Sequence, residues 1–386
     1  MAHASAVLKP LSSLRSHGGR SSVSGATVTV FGGTGFLGRY VINRLGKMGC
    51  RVIVPFRGDE IMVRHLKPMG DLGVVNFFDM SIREPEQIEE AVAGSNIVIN
   101  LLGKHFETSR WSFQDVHASF PAVLGTICAE QGVDRLVHVS ALGASASAPS
   151  AWARSKAVGE ENVRAAFPET TILRPAPVFG DEDRLLNRIA KLSRAFPLLP
   201  LVDGDALQQP VFCDDLAKAV VEAASNRDCA GKTYSLCGPK VYTNLQMAEY
   251  VFKVSCIDGP CRLASSRHAT PRHATPRHAT PRSAACHASS PRCAQVIADD
   301  NNAVVLPRPI GMAFATAISI LPNPWLTPDI LKMQTVETTM PADVLGIKDL
   351  GVEEPVNMED RADRYLIRFK KPSMFEDDKE IIRPPQ

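Results

Sequence analysis

The sequence predicts an α/β fold, a doubly wound parallel sheet followed by a smaller C-terminal α/β lobe, on three observations. From Ala26 onward short β-branched runs alternate with amphipathic stretches, a glycine cluster closes the first of those runs, and the alternation loosens beyond Arg174. Strand-like and helix-like periodicities that alternate in this way mark βαβ units, in which each helix returns the chain across the sheet and leaves successive strands parallel.

Strands are expected at 27–31, 52–54, 73–77, 97–101, 136–140 and 171–173, with helices at 36–47, 85–92, 116–131 and 151–166. Six such strands make a doubly wound sheet. The looser pieces that follow, helical at 214–225 and 245–254 and extended at 233–236, are assigned to the small lobe. The domain plan is a leader at 1–25, the nucleotide-binding domain with the start of the small lobe at 26–255, an insertion at 256–303, and a C-terminal lobe and tail at 304–386.

The leader rests on composition. No Asp or Glu precedes Asp59, while Lys9, Arg15 and Arg20 lie among serines and small apolar residues, as in an organelle transit peptide. A secretory signal needs an unbroken apolar stretch, and Lys9 and Pro10 interrupt the best one. The insertion contains three copies of RHATP at 267–281, whose prolines and lack of apolar periodicity predict disorder. With 45% hydrophobic and 22% charged residues the chain has the balance of a globular protein, and its net charge of +2 argues against nucleic acid as a partner. Nine cysteines form no CxxC pair, which fits a reducing compartment, and Cys286, His287 and Cys293 are too irregularly set to be a metal site. The longest apolar run, 310–321, falls short of the ~20 residues a bilayer span needs, so no transmembrane helix is expected. Its proline rim suits contact with a subunit or bilayer surface, or burial as a helix.

The first strand leads into Gly32, Gly33, Thr34, Gly35, Phe36, Leu37 and Gly38. Gly32 permits a tight turn, Gly35 lets backbone approach a pyrophosphate, and Gly38 lets the helix pack on the strand, so this is a Rossmann-like dinucleotide fingerprint. The second strand ends in Arg57 with no acid at its tip. An acid there binds a ribose 2′-hydroxyl, whereas a guanidinium pairs with a 2′-phosphate, so NADPH is favoured over NADH. Asp79 and Met80, after the third strand, are expected to border the adenine, and Leu101, Leu102 and Gly103, after the fourth, to pass beneath the cofactor.

These residues resemble the atypical, extended short-chain dehydrogenase/reductases. Active members pair Tyr-x-x-x-Lys on one helix with a Ser ending the fifth strand; the lysine lowers the tyrosine pKa for proton transfer. Here Ser140 ends the fifth strand and Lys156 lies on the next helix, but four residues before Lys156 stands Trp152, whose indole N–H has no useful acidity. The sequence thus keeps a cofactor cradle, with Ser140 and Lys156 against the nicotinamide end, and lacks the catalytic tyrosine. His117 stands where many active relatives have Asn, and reads as a satisfied histidine of a half-buried helix.

A narrower resemblance rests on the runs NIVINLLGKHFET at 96–108, GVDRLVHVSALGA at 132–144, TILRPAPVFGDEDRLLN at 171–187, QQPVFCDDLAKAV at 208–220 and NPWLTPDIL at 323–331. They are similar to the family of NADPH-binding accessory subunits of mitochondrial NADH:ubiquinone oxidoreductase, respiratory complex I, the ninth of its alpha subcomplex. The resemblance adds Pro175 to the cofactor residues. It implies a non-catalytic subunit that supports the peripheral arm near the quinone site. Its partners would be other complex I subunits at the junction of the peripheral and membrane arms, on the matrix side of the inner membrane. An active NADPH-dependent organellar reductase or epimerase is the competing expectation.

Overall fold

The structure, a computed structural model, describes residues 24–195, 199–255, 303–319, 326–341 and 344–369. Of the leader and insertion boundaries drawn from the sequence, only residues 24, 25 and 303 fall within that range, and the tail beyond 369 lies outside it as well.

In chain order the elements are β1 (Thr27–Phe31), α1 (Phe36–Lys47), β2 (Arg51–Phe56), β3 (Val75–Asp79), α2 (Pro85–Val92), β4 (Ile97–Asn100), α3 (Phe120–Glu130), β5 (Arg135–Val139), α4 (Ala151–Ala166), β6 (Thr171–Pro175), β7 (Val178–Phe179), α5 (Leu186–Ala195), β8 (Leu199–Val202), β9 (Leu207–Gln208), β10 (Val211–Phe212), α6 (Cys213–Ser225), β11 (Thr233–Leu236), β12 (Tyr242–Thr243), α7 (Asn244–Ser255), β13 (Ala303–Leu306), α8 (Arg308–Ile318), α9 (Pro328–Gln334) and α10 (Met358–Leu366). The central sheet runs β11-β6-β5-β4-β1-β2-β3 with every pairing parallel.

Burial on both faces explains the strand composition. β4, Ile-Val-Ile-Asn, is buried at every position, as central parallel strands require. Val41, Ile42 and Leu45 of α1 join Leu216, Val220 and Ala224 of α6 in the core on one face. Ile88 of α2, Phe120 and Leu124 of α3 and Val163 of α4 fill the other. The chain moves from β1 outward through β2 and β3, then returns to β4 on the other side of β1. Adjacent connections therefore diverge at the C-terminal ends of β1 and β4, which opens a crevice there.

Two features depart from the sequence expectation. Thr233–Leu236, assigned above to the small lobe, pairs with β6 and is the seventh strand of the main sheet. The helix expected at 116–131 begins as a π turn over Gln114–Ser119 before α3 proper. The smaller lobe gathers α5, α7 and α10 around Phe179, Met247 and Leu366. A separate cluster joins α8 to α9 through Ala315, Ile318, Ile330 and Leu331. The apolar run beginning at Ile310 therefore forms a packed helix as far as it is described, with Ile310 itself 55% exposed. Among the described residues no helix is long and apolar enough to cross a membrane, and no cluster of metal-ligating side chains occurs.

Candidate functional site

The crevice begins at the glycine loop. Gly32 adopts φ +79°, and a Cβ there would lie 2.9 Å from the Leu101 backbone. A Cβ on Gly38 would lie 2.5 Å from the Gly33 carbonyl and 2.6 Å from that of Gly32, so any side chain would push α1 off the loop. The Gly35 N–H closes the turn onto the Gly32 carbonyl at 3.0 Å. Gly35 also begins α1 without a side-chain cap, and the first turn holds no acid. The free N–H groups and the positive end of the helix dipole therefore face the crevice uncompensated. That cradle fits a pyrophosphate. Thr34 is exposed at its rim, Phe36 packs edge-on against Tyr40 at 5.8 Å, and Leu37 leans on the main core.

At one end of the crevice Arg57 follows β2 and is exposed. It borders a cavity of about 680 Å³ lined by Arg57, Ser81, Arg83, Lys104 and residues 108–111. Asp79 is exposed at the end of β3. Met80 follows with its side chain 6% exposed in the core cluster that holds Phe31 and Phe120, and Ser81, next in the chain, lines the cavity. Arg83, Lys104, Arg110 and Trp111 were missed from the sequence. They sit on loops after β3 and β4 with no diagnostic spacing, and only their position beyond the strand ends could have marked them.

The other end holds the residues expected around a nicotinamide. Leu101 and Leu102 leave β4 half-buried, and the Leu102 N–H donates to the Asn100 side chain at 3.0 Å. A Cβ on Gly103 would lie 3.5 Å from the Lys156 ammonium. Lys156, 4% exposed, donates to the Val139 carbonyl at 3.1 Å. Burial pulls its pKa down to about 8 against the opposing effect of Glu160, a carboxylate paired with Arg174 at 3.0 and 3.1 Å. The Ser140 hydroxyl is buried without a partner, a donor left open for a ligand. Pro175, half-buried, accepts the Leu142 N–H at 2.9 Å.

Trp152 closes a ring of hydrogen bonds. Its indole N–H donates to the Lys104 carbonyl at 2.7 Å. The Lys104 N–H donates to His117 Nε2 at 3.0 Å. His117 Nδ1 donates to the Ser155 hydroxyl at 2.8 Å, which donates in turn to the Trp152 carbonyl at 2.8 Å. The ring requires neutral His117, since Nε2 must accept. Burial, and then the nearby Lys156 charge, lower its pKa to about 2. His105 stacks on Trp152 with centroids 6.0 Å apart, and its pKa falls to about 3 by burial, then by Arg184, Lys156 and Arg188. The π turn carries His117 into this ring, so the satisfied-histidine expectation matches its place.

None of the chain's five tyrosines lies on α4. Tyr365 donates to Asp183 at 2.9 Å, and burial raises its pKa far above the range of a useful proton donor.

The C-terminal segment also reaches this end. Asp329 accepts from the Ser150 hydroxyl at 2.8 Å and from the N–H groups of Ala151 and Trp152 at 2.8 and 3.1 Å. It thereby caps the helix that carries Trp152 and Lys156. The NPWLTPDIL run contains Asp329, yet nothing local to it indicates this long-range role.

Comparison with known proteins agrees with the Rossmann-like fold. The model of the NAD dependent epimerase/dehydratase family matches residues 28–237. The mouse mitochondrial NADH dehydrogenase [ubiquinone] 1 alpha subcomplex subunit 9 is 36% identical over 92% of this chain and 83% of its own length. The Arabidopsis thaliana protein of the same name is 46% identical over 61% of this chain and 59% of its own length. The Neurospora crassa NADH-ubiquinone oxidoreductase 40 kDa subunit is 42% identical over 63% of each chain. The matches to the plant and fungal proteins thus span less than two thirds of their length. A dTDP-glucose 4,6-dehydratase from Streptomyces venezuelae with NAD and TYD bound superposes with a TM-score of 0.52 over 60% of this chain and 82% of that one, at 20% identity. The fold is shared at that distance.

Proposed function

The chain belongs to the NAD dependent epimerase/dehydratase family and to the family of alpha subcomplex subunit 9 of mitochondrial NADH dehydrogenase [ubiquinone], and from that premise we propose that it is a non-catalytic, NADPH-holding accessory subunit of respiratory complex I. It supports assembly and stability of the peripheral arm. We place it in mitochondria on the matrix side of the inner membrane, among other complex I subunits near the quinone site and the junction with the membrane arm. The acid-free N-terminal composition supports the organelle, and the names of the relatives support the partners.

The observation that carries the non-catalytic reading is the Trp152 indole. A nicotinamide cofactor supplies a hydride, and hydride delivery to a carbonyl needs a matched proton donor beside it. Trp152 stands four residues before Lys156 and spends its N–H on the Lys104 carbonyl. The remaining residues hold rather than react. Gly32, Gly35 and Gly38, with Thr34, Phe36 and Leu37, form the pyrophosphate turn. Leu101, Leu102, Gly103, Ser140, Lys156 and Pro175 surround the nicotinamide end. Arg57 favours a 2′-phosphate, so the cofactor is NADPH.

Retained Ser140 and Lys156 also suit a second reading, an active organellar reductase or epimerase with another proton donor. Denaturing the purified chain and identifying the released nucleotide tests both readings. About one NADPH per chain, not oxidised by quinones or aldehydes, is expected. Release of NADH, release of no nucleotide, or turnover abolished by Lys156→Ala contradicts the proposal. Arg57→Glu is expected to weaken NADPH by roughly tenfold or more while sparing NADH, the scale of a charge-assisted hydrogen bond lost.

A further inference from the structure

Segment 103–111 connects the two ends of the crevice. Its base is Lys104, whose two backbone groups are both held by side chains: the carbonyl by the Trp152 indole at 2.7 Å and the N–H by His117 at 3.0 Å. Its tip is a tight hairpin in which Thr108 and Trp111 exchange both backbone hydrogen bonds at 3.0 Å. The Lys104 ammonium ties base to tip by donating to the Thr108 hydroxyl at 2.8 Å. Glu107 accepts the Phe113 N–H at 2.8 Å and fixes the exit.

The tip organises positive charge. The Trp111 ring lies under two guanidinium groups, that of Arg57 at 5.0 Å and that of Arg83 at 4.3 Å. Arg83 also donates to the Arg110 carbonyl and lies 3.7 Å from Asp115. Arg57, Arg83, Lys104 and Arg110 all line the 680 Å³ cavity, and no carboxylate lines it. The cations repel one another: burial and then Arg57 lower the Lys104 pKa. Such a cluster is relieved by a dianion, and a planar ring beneath two guanidiniums pre-orders them for it.

We infer that segment 103–111 is a strap that retains the nucleotide: Arg57, Arg83, Lys104 and Arg110 grip a phosphomonoester on its adenosine, Trp111 positions the two guanidiniums, and Trp152 is the positioning residue that pins the strap's base. The inference rests on the NADPH reading above. The position that carries a phenol in active relatives therefore serves here to hold a loop, and the change that removes proton transfer favours retention.

The test measures NADPH and NADH dissociation from the full-length chain by stopped-flow fluorescence, with adenosine 2′,5′-bisphosphate as competitor. Trp152→Phe keeps a ring against His105 and deletes the N–H. It is expected to speed NADPH release by roughly tenfold, the effect of losing one well-aligned hydrogen bond, and to narrow the preference for NADPH over NADH. Trp111→Ala is expected to abolish that preference and the bisphosphate competition, with Trp111→Phe restoring part of both. Unchanged NADPH release in Trp152→Phe, or an unchanged NADPH-to-NADH ratio in Trp111→Ala, overturns the inference. If those variants fold poorly, Arg83→Gln, on the facing loop, must show the same loss of preference. Wild-type chain that binds neither dinucleotide refutes the cofactor reading itself, an outcome separate from equal retention by wild type and variants.

Discussion

Removing the Asp329 carboxylate is expected to loosen the helix that holds Lys156 and Trp152, at a cost the geometry allows to be worked out. Asp329 accepts from two backbone N–H groups and a hydroxyl at 2.8–3.1 Å at the start of a 16-residue helix with no acid of its own in the first turn. A good cap contributes about 1 kcal/mol, and a carboxylate at the positive end of the dipole adds about 0.3–1 kcal/mol, more when partly buried. Ser150 retains a weaker cap on the Ala153 N–H at 3.4 Å, and water replaces part of the lost contact. Asp329→Ala should therefore destabilise the protein by about 2 kcal/mol, a fall in Tm of roughly 2–3 °C for a chain of this size. Asp329→Asn, which keeps a neutral acceptor, should lose about half as much. Urea unfolding followed by circular dichroism measures both. Combined with Ser150→Ala, the two substitutions should couple, because each removes a partner of the other. A loss below about 0.5 kcal/mol, or strict additivity with Ser150→Ala, would refute the long-range cap.

The pH dependence follows from two buried imidazoles. His117 and His138 are each 1% exposed, and burial, followed by the Lys156 charge, lowers their pKa values to about 2 and about 3. Their folded values lie below the unfolded value near 6.5, so the unfolded chain takes up protons first. Stability from these groups is complete above pH 6.5 and lost as the pH falls toward 3, at about 1.4 kcal/mol per pH unit for each. About 4 kcal/mol should be gone by pH 5; equal urea midpoints at pH 7 and 5 would contradict this. At the glycine loop, Gly38→Ala forces a Cβ to 2.5 Å from the Gly33 carbonyl, so isothermal titration should find NADPH and NADH weakened alike. Selective loss of NADPH would mean that this loop reads the phosphate rather than the shared pyrophosphate.

The fold was legible where local pattern and burial coincide. The bounds of α1, α2 and α4 match the amphipathic stretches because each helix lays one apolar stripe on the sheet, and β1 is bounded by its own β-branched run. Thr233–Leu236 was assigned to the small lobe because four residues carry no sign of which edge they join; pairing with β6 is a non-local fact. The π turn escaped for a related reason: one extra residue per turn leaves the apolar periodicity nearly intact while turning His117 inward. Within the site, the tight glycine turn was legible because it acts through its own backbone, and the place of Arg57 because it directly follows its strand. The burial of the Met80 side chain in the core cluster of Phe120 was not legible, because an apolar residue after a strand suits a ligand wall and a core equally well. Asp329 and Trp111 act on residues that are distant in sequence or share no motif with them, so only their placement in space reveals them.

Membership in complex I is decided by separating detergent-solubilised mitochondrial membranes on a native gel and probing for this chain, with the nucleotide content of each band measured. The chain is expected to migrate in the complex I band, with NADPH in proportion to it. Migration as a free protein of its own mass, with none in the complex I band, would mean that the chain is not a subunit of complex I.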